Sequence, residues 1–130
     1  MIKVINHDIF KATITIGLQK NYTSEKIKKS EVFKELKNLQ KALIKTENIY
    51  LSANCFSSTI VLSGQQEPHL NLQFINYPKF PLKQEIFKRS VENIAEDLMY
   101  KFDQNRLVIQ FHDSNVMLEK TNEIDHRIME

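Results

Sequence analysis

Few side chains in this 130-residue chain are spaced to move protons, hold anions or attack carbon. Lys11, where the first strand pattern begins, is a base candidate, because a desolvated lysine amine loses its proton near neutrality. Lys45, at the end of a helical pattern, is a candidate cation for a substrate carboxylate, although a helix C-terminus favours lysine there unaided. His112-Asp113 at a strand end offers an imidazole for acid–base work. Adjacent strand residues point to opposite faces, so Asp113 is poorly placed to orient His112, and turn chemistry accounts for Asp113 and Asn115. Glu67 and His69 share a face on either side of Pro68. Two ligands fall short of the roughly four a structural zinc site needs, so no metal is expected. Cys55 reads as a buried, unreactive thiol.

Composition removes whole classes. With only Gly17 and Gly64 the chain has no phosphate-binding glycine loop, and one cysteine excludes an internal disulfide framework. No organic cofactor is expected. The apolar runs are short, as in Thr59-Ile60-Val61-Leu62, so no membrane span is expected, and a cytoplasmic location is the default expectation. Residues 1–45 hold ten lysines and four acids, a local charge of +6 in a chain whose net charge is +2. Most of those lysines fall on one helical pattern, where a solvated face explains them.

The elements that must position these groups alternate plainly. Ala12, Ile14, Ile16 and Leu18 form one face of a strand, with Thr13 and Thr15 on the other. Residues 20–29 are a polar loop, and Ser30 is the expected helix cap. Val32, Phe33, Leu36, Leu39 and Leu43 recur every three or four positions, the stripe of a helix. A second strand is expected over Ile49–Phe56 and a third over Pro68–Asn76, joined by a turn at Gly64. Pro81 would open a second helix, whose apolar face runs from Ile86 to Phe102. Arg106–Asp113 is the last main strand, with a short edge strand at Asn115–Glu119. The expectation is one α+β domain over 1–130, with a core from about 11 to 119, an N-terminal extension at 1–10 and a polar tail at 120–130. Two β-α-β units would form a mixed sheet with both helices on one face, leaving a bare polar face with Thr13, Thr15, Ser52, Asn54, Gln110 and His112.

Three stretches resemble the tautomerase superfamily, in particular its macrophage migration inhibitory factor-like branch. They are the turn Ser63-Gly64-Gln65-Gln66-Glu67-Pro68, the strand Asn105–Asn115 ending in Asp113-Ser114-Asn115, and Lys45 closing the first helix. The resemblance implies a homotrimer whose sheets face a central axis, and keto–enol chemistry on a small carbonyl or carboxylate compound. It also implies ligand contacts from Tyr77, Gln110 and His112, with Lys11 and Lys45 as the catalytic candidates. The family uses an N-terminal proline as its base, and this chain has no proline before Pro68, so the implied activity is altered or lost. The competing expectation is a non-enzymatic assembly or binding module of ferredoxin-like fold, built as a dimer. RNA binding is the weakest reading, because the strand Leu70–Phe74 lacks the aromatic motif of the RNA-binding modules.

Overall fold

The computed structural model describes residues 1–125. The elements run β1 (Lys11–Gly17), α1 (Lys29–Glu47), β2 (Ala53–Leu62), β3 (Gln65–Ile75), α2 (Gln84–Lys101), β4 (Arg106–Phe111) and β5 (Asn115–Glu119). The chain is therefore α+β, with one five-stranded sheet in the order β2-β3-β1-β4-β5. Every neighbouring pair is antiparallel, which corrects the expected mixed sheet. The physical reason is the strand order. β3 separates β1 from β2, and β1 separates β3 from β4, so neither helical crossover joins adjacent strands.

The period-two pattern of β1 is realised in full. Ala12, Ile14 and Ile16 have no exposed surface and lie opposite Phe74, Leu72 and Leu70 of β3. Phe87, Val91, Ile94, Ala95 and Leu98 of α2 join them in one apolar cluster, as do Val32 and Leu36 of α1. The two helices also touch each other. Burying a side chain of this size contributes about 1.5–3 kcal/mol. The opposite sheet face carries Thr13, Thr15, Asn71, Gln73, Val108 and Gln110, paired across strands in the register Thr13↔Gln73, Thr13↔Gln110, Thr15↔Asn71 and Thr15↔Val108.

Local details differ from expectation where side chains were asked to cap. α1 begins one residue before Ser30, and its N-cap Lys28 makes no side-chain capping bond. Its far end is closed by Asn48 in the left-handed region (φ 56°), with the Asn48 and Ile49 amides donating to the Ile44 and Leu43 carbonyls. α2 starts three residues beyond Pro81, behind a loop held by Asn76, whose Oδ1 accepts the Leu82 amide at 2.8 Å. β2 runs from Ala53 to Leu62 rather than from Ile49, and Ser63-Gly64 turns it directly into β3. No described helix is long and apolar enough to cross a membrane.

Candidate functional site

Of the five candidate residues, Lys11 and His112 come together and the others do not join them in one site. Lys11 opens β1, and its amide points at His112 Nδ1, 3.5 Å away. His112 also lies 3.3 Å from Gln84 Nε2 and stacks obliquely beside Phe10. Lys88 donates to both oxygens of Asp113 at 2.9 Å, which holds that carboxyl below the ordinary carboxylate range. Asp113 is thus a partner of α2 more than an orienter of His112, although its Oδ2 comes within 3.9 Å of the ring. Lys45 stands in the last turn of α1. Tyr77 follows β3 on a separate aromatic recess. Gln110 sits on the uncovered sheet face, opposite Thr13 and Asn115.

A different set gathers at the other end of the sheet. Gly17 to Tyr22 leave β1 there, Ile60 and Leu62 end β2, Gln65 to His69 begin β3, and Gln104 to Arg106 lead into β4. Together with Asp125 they line a recess of about 250 Å³. Its shape depends on Gly17, since a Cβ there would lie 3.0 Å from Gln104 Oε1 and 3.6 Å from His69 Nε2. Gln104 is buried and ties the wall together, accepting the Gly17 amide at 3.2 Å and donating to the Gln19 carbonyl at 3.0 Å.

Asn105 does the same for the outer rim. Its Oδ1 accepts from the amide and hydroxyl of Thr121, at 3.1 and 3.0 Å, and its Nδ2 donates to Tyr22 Oη at 3.1 Å. Arg106 donates to the Tyr22 hydroxyl and to Glu119, and both contacts raise its pKa above the ordinary arginine value. The polar stretch after β5 is therefore pinned as far as Asp125, which is buried; the remainder of the expected tail lies outside the described residues.

Glu67 and His69 reach the recess as alternate residues of β3, which places both on its outer face. The His69 ring nitrogen Nδ1 lies 3.1 Å from the Glu67 carbonyl oxygen. No group of three metal-ligating side chains occurs among the described residues. The recess thus combines carboxylates (Glu67, Asp125), the Arg106 guanidinium, the His69 ring and side-chain amides with an apolar side made by Leu18, Ile60, Leu62 and Pro68. Such a lining suits an amphipathic ligand that carries charges of both signs. The sequence alone pairs Glu67 with His69 only as insufficient metal ligands, shows Asn105 and Arg106 only as part of a strand, and does not single out Tyr22, Gln104 or Asp125. One signal was available: Gln104-Asn105-Arg106 sets three polar residues in a row between an apolar helix and a buried strand.

No family model matches the chain, and no curated protein does. Two solved structures share its fold. A phage SAM lyase in complex with S-methyl-5'-thioadenosine superposes with a TM-score of 0.68 at 18% identity, over 92% of this chain and 96% of that one. A phage SAM lyase in the apo state superposes with a TM-score of 0.63 at 19% identity, over 85% and 89%. The tautomerase kinship is corrected by these matches, and with it the keto–enol activity; the non-enzymatic module of ferredoxin-like fold is not favoured either. The stretches that carried the resemblance are turn and cap chemistry. Ser63-Gly64 is the β2–β3 turn, Asp113-Ser114 is the β4–β5 turn, and Lys45 is the basic residue in the last turn of α1. The two antiparallel pairs need their turns, and a basic residue is favoured at a helix C-terminus unaided.

Proposed function

We propose that this chain is a lyase acting on S-adenosylmethionine, releasing S-methyl-5'-thioadenosine. The observation that carries the reading is the fold match along nearly the whole of both chains to a phage SAM lyase holding that thioether. The recess supports it chemically. S-adenosylmethionine carries a sulfonium and an ammonium, and breaking the bond from sulfur to the methionine γ-carbon turns the sulfonium into a neutral thioether. Without added water, the remaining fragment must either close its carboxylate oxygen onto the γ-carbon or lose a β-proton to form an alkene.

Positive charge at sulfur disappears along this path. A carboxylate beside the sulfur would hold the ground state more tightly than the transition state and slow the step. Glu67 is therefore assigned to the ammonium end of the substrate, and the apolar side formed by Leu18, Ile60, Leu62 and Pro68 to the sulfur. Gln104 and Asn105 act as positioning residues, since their amides hold the wall and rim. Incubating the purified chain with S-adenosylmethionine and identifying the products tests the proposal. Formation of S-methyl-5'-thioadenosine supports it, and unchanged substrate rejects it.

Self-association through the uncovered sheet face is proposed with it, because Phe56, Val108 and Met117 are exposed there, the latter two directly paired across β4 and β5. The trimeric count came from the tautomerase resemblance and has lost that support. Light scattering gives the copy number, and a monomer at all concentrations rejects self-association.

A further inference from the structure

At the end of the sheet opposite the polar recess, two apolar surfaces of this chain stand close together without covering each other. The first is the arm before β1. Residues 1–9 form no helix or strand, and they lead into Phe10, whose ring packs beside Phe87 and whose carbonyl accepts the Asn76 amide at 3.0 Å. Ahead of that anchor, Ile2, Val4, Ile5 and Ile9 are 91%, 81%, 46% and 73% exposed. Four branched aliphatic side chains in nine residues, all open to water, are an unburied apolar surface.

The second is a recess of about 500 Å³ that begins one residue beyond Asn76, at Tyr77. Tyr77 and Phe80 after β3 and Tyr50 before β2 present their rings to it, with the Tyr50–Phe80 centroids 4.5 Å apart and the Tyr77–Phe80 centroids 6.2 Å apart. Ile44 of α1 and the buried Leu51 extend the apolar lining. No lining residue is charged, and Gln40, the larger of the two polar ones, already donates to the Leu51 carbonyl at 2.9 Å. The charged residues near it in sequence, Lys41, Lys45, Glu47 and Lys79, lie outside the lining, and Glu47 is paired with Arg89. Rings and aliphatic carbon without charge suit an aliphatic segment rather than an ion.

The arm is tethered within reach of its own recess, since nine extended residues span up to about 30 Å. Even so, none of residues 1–10 lines it. We propose that the arm fills the aromatic recess of a second copy of this chain, while that copy's arm fills the first. Arm root and recess share one end of the sheet, so a two-fold axis beside that end makes both contacts at once and closes the exchange at two copies. This contact shares no residue with the polar recess or with Phe56, Val108 and Met117 of the uncovered sheet face, and it does not depend on the lyase reading.

Disulfide trapping between full-length chains tests this. In a Cys55→Ser background, one chain carries Val4→Cys and a second, isotope-labelled chain carries Tyr77→Cys; both positions are exposed, so neither change disturbs the core. Mild oxidation of the mixture should join positions 4 and 77 of different chains at least about tenfold more than Val4→Cys joins Glu96→Cys on α2, because seating the arm raises the local thiol concentration. Adding Ile2→Asp and Ile5→Asp to the arm should lower the yield about tenfold. Val108→Asp, on the uncovered sheet face, should leave it unchanged. Three results overturn the proposal: equal yields for the two cysteine pairs, a yield that follows Val108→Asp rather than the arm aspartates, or a chain carrying both Val4→Cys and Tyr77→Cys that closes the bond within itself at every concentration.

Discussion

Gly17 faces His69 across the β1–β3 ladder, and the space between them is what a methyl group would fill. Gly17 has no positive φ, so the requirement for glycine here is steric rather than conformational. A Cβ would press on Gln104 Oε1 at 3.0 Å, the same atom that accepts the Gly17 amide. Gly17→Ala should therefore cost about 1–2 kcal/mol of stability, typical of mild overpacking, and narrow the floor of the recess. Urea denaturation should also show coupling between Gly17→Ala and Gln104→Ala, because the clash and the hydrogen bond share one atom. Additive costs would remove Gln104 from this role.

Cys55 offers a direct check on β2. It lies opposite Leu72 and is half-buried, and burial pushes its thiol pKa above the ordinary value. Little thiolate is then present near pH 7, and only thiolate alkylates. Iodoacetamide should modify the native protein at least about tenfold more slowly than the denatured chain. Equal rates would place Cys55 outside the packed sheet.

The Lys88–Asp113 pair joins α2 to the β4–β5 turn. The Lys88 ammonium keeps the Asp113 carboxyl ionised to lower pH in the folded state than in the unfolded chain, where an aspartate titrates near 3.9. A depressed folded pKa contributes stability above the unfolded value, and that contribution is lost as pH falls through the folded value. Asp113→Asn should thus lower stability slightly at pH 7, and the difference from wild type should shrink as pH falls below the unfolded value near 3.9. The site is exposed, so added salt should shrink the effect. A difference that grows in acid would contradict the pairing.

Much of this architecture was legible because burial and strand period coincide. The alternation of Ala12, Ile14 and Ile16 is buried as expected, and of the stripe Val32, Phe33, Leu36, Leu39 and Leu43 the first and third are buried and the others partly buried against the core. The same signal misplaced the start of β2. Ile49 and Leu51 are buried between the exposed Tyr50 and Ser52, yet this stretch is unpaired coil. Alternation reports which side a residue faces, not whether its backbone has a ladder partner. Strand order was equally hidden, since nothing local tells β1 to pair with both β3 and β4. The recess was the least readable part. Gly17, Glu67, Gln104 and Asp125 come from four distant stretches, each polar residue ordinary where it stands, and only the antiparallel register brings them together.

The recess is proposed to cleave S-adenosylmethionine. Mass spectrometry of a reaction with the purified wild-type chain, beside Glu67→Gln, tests it most directly. S-methyl-5'-thioadenosine should accumulate in step with substrate loss, at a rate well above buffer. Glu67→Gln should lower kcat/KM by about tenfold or more, since it removes the charge assigned to the substrate ammonium. A wild-type chain that leaves S-adenosylmethionine intact, or a Glu67→Gln variant that turns it over as fast as wild type, would contradict the account.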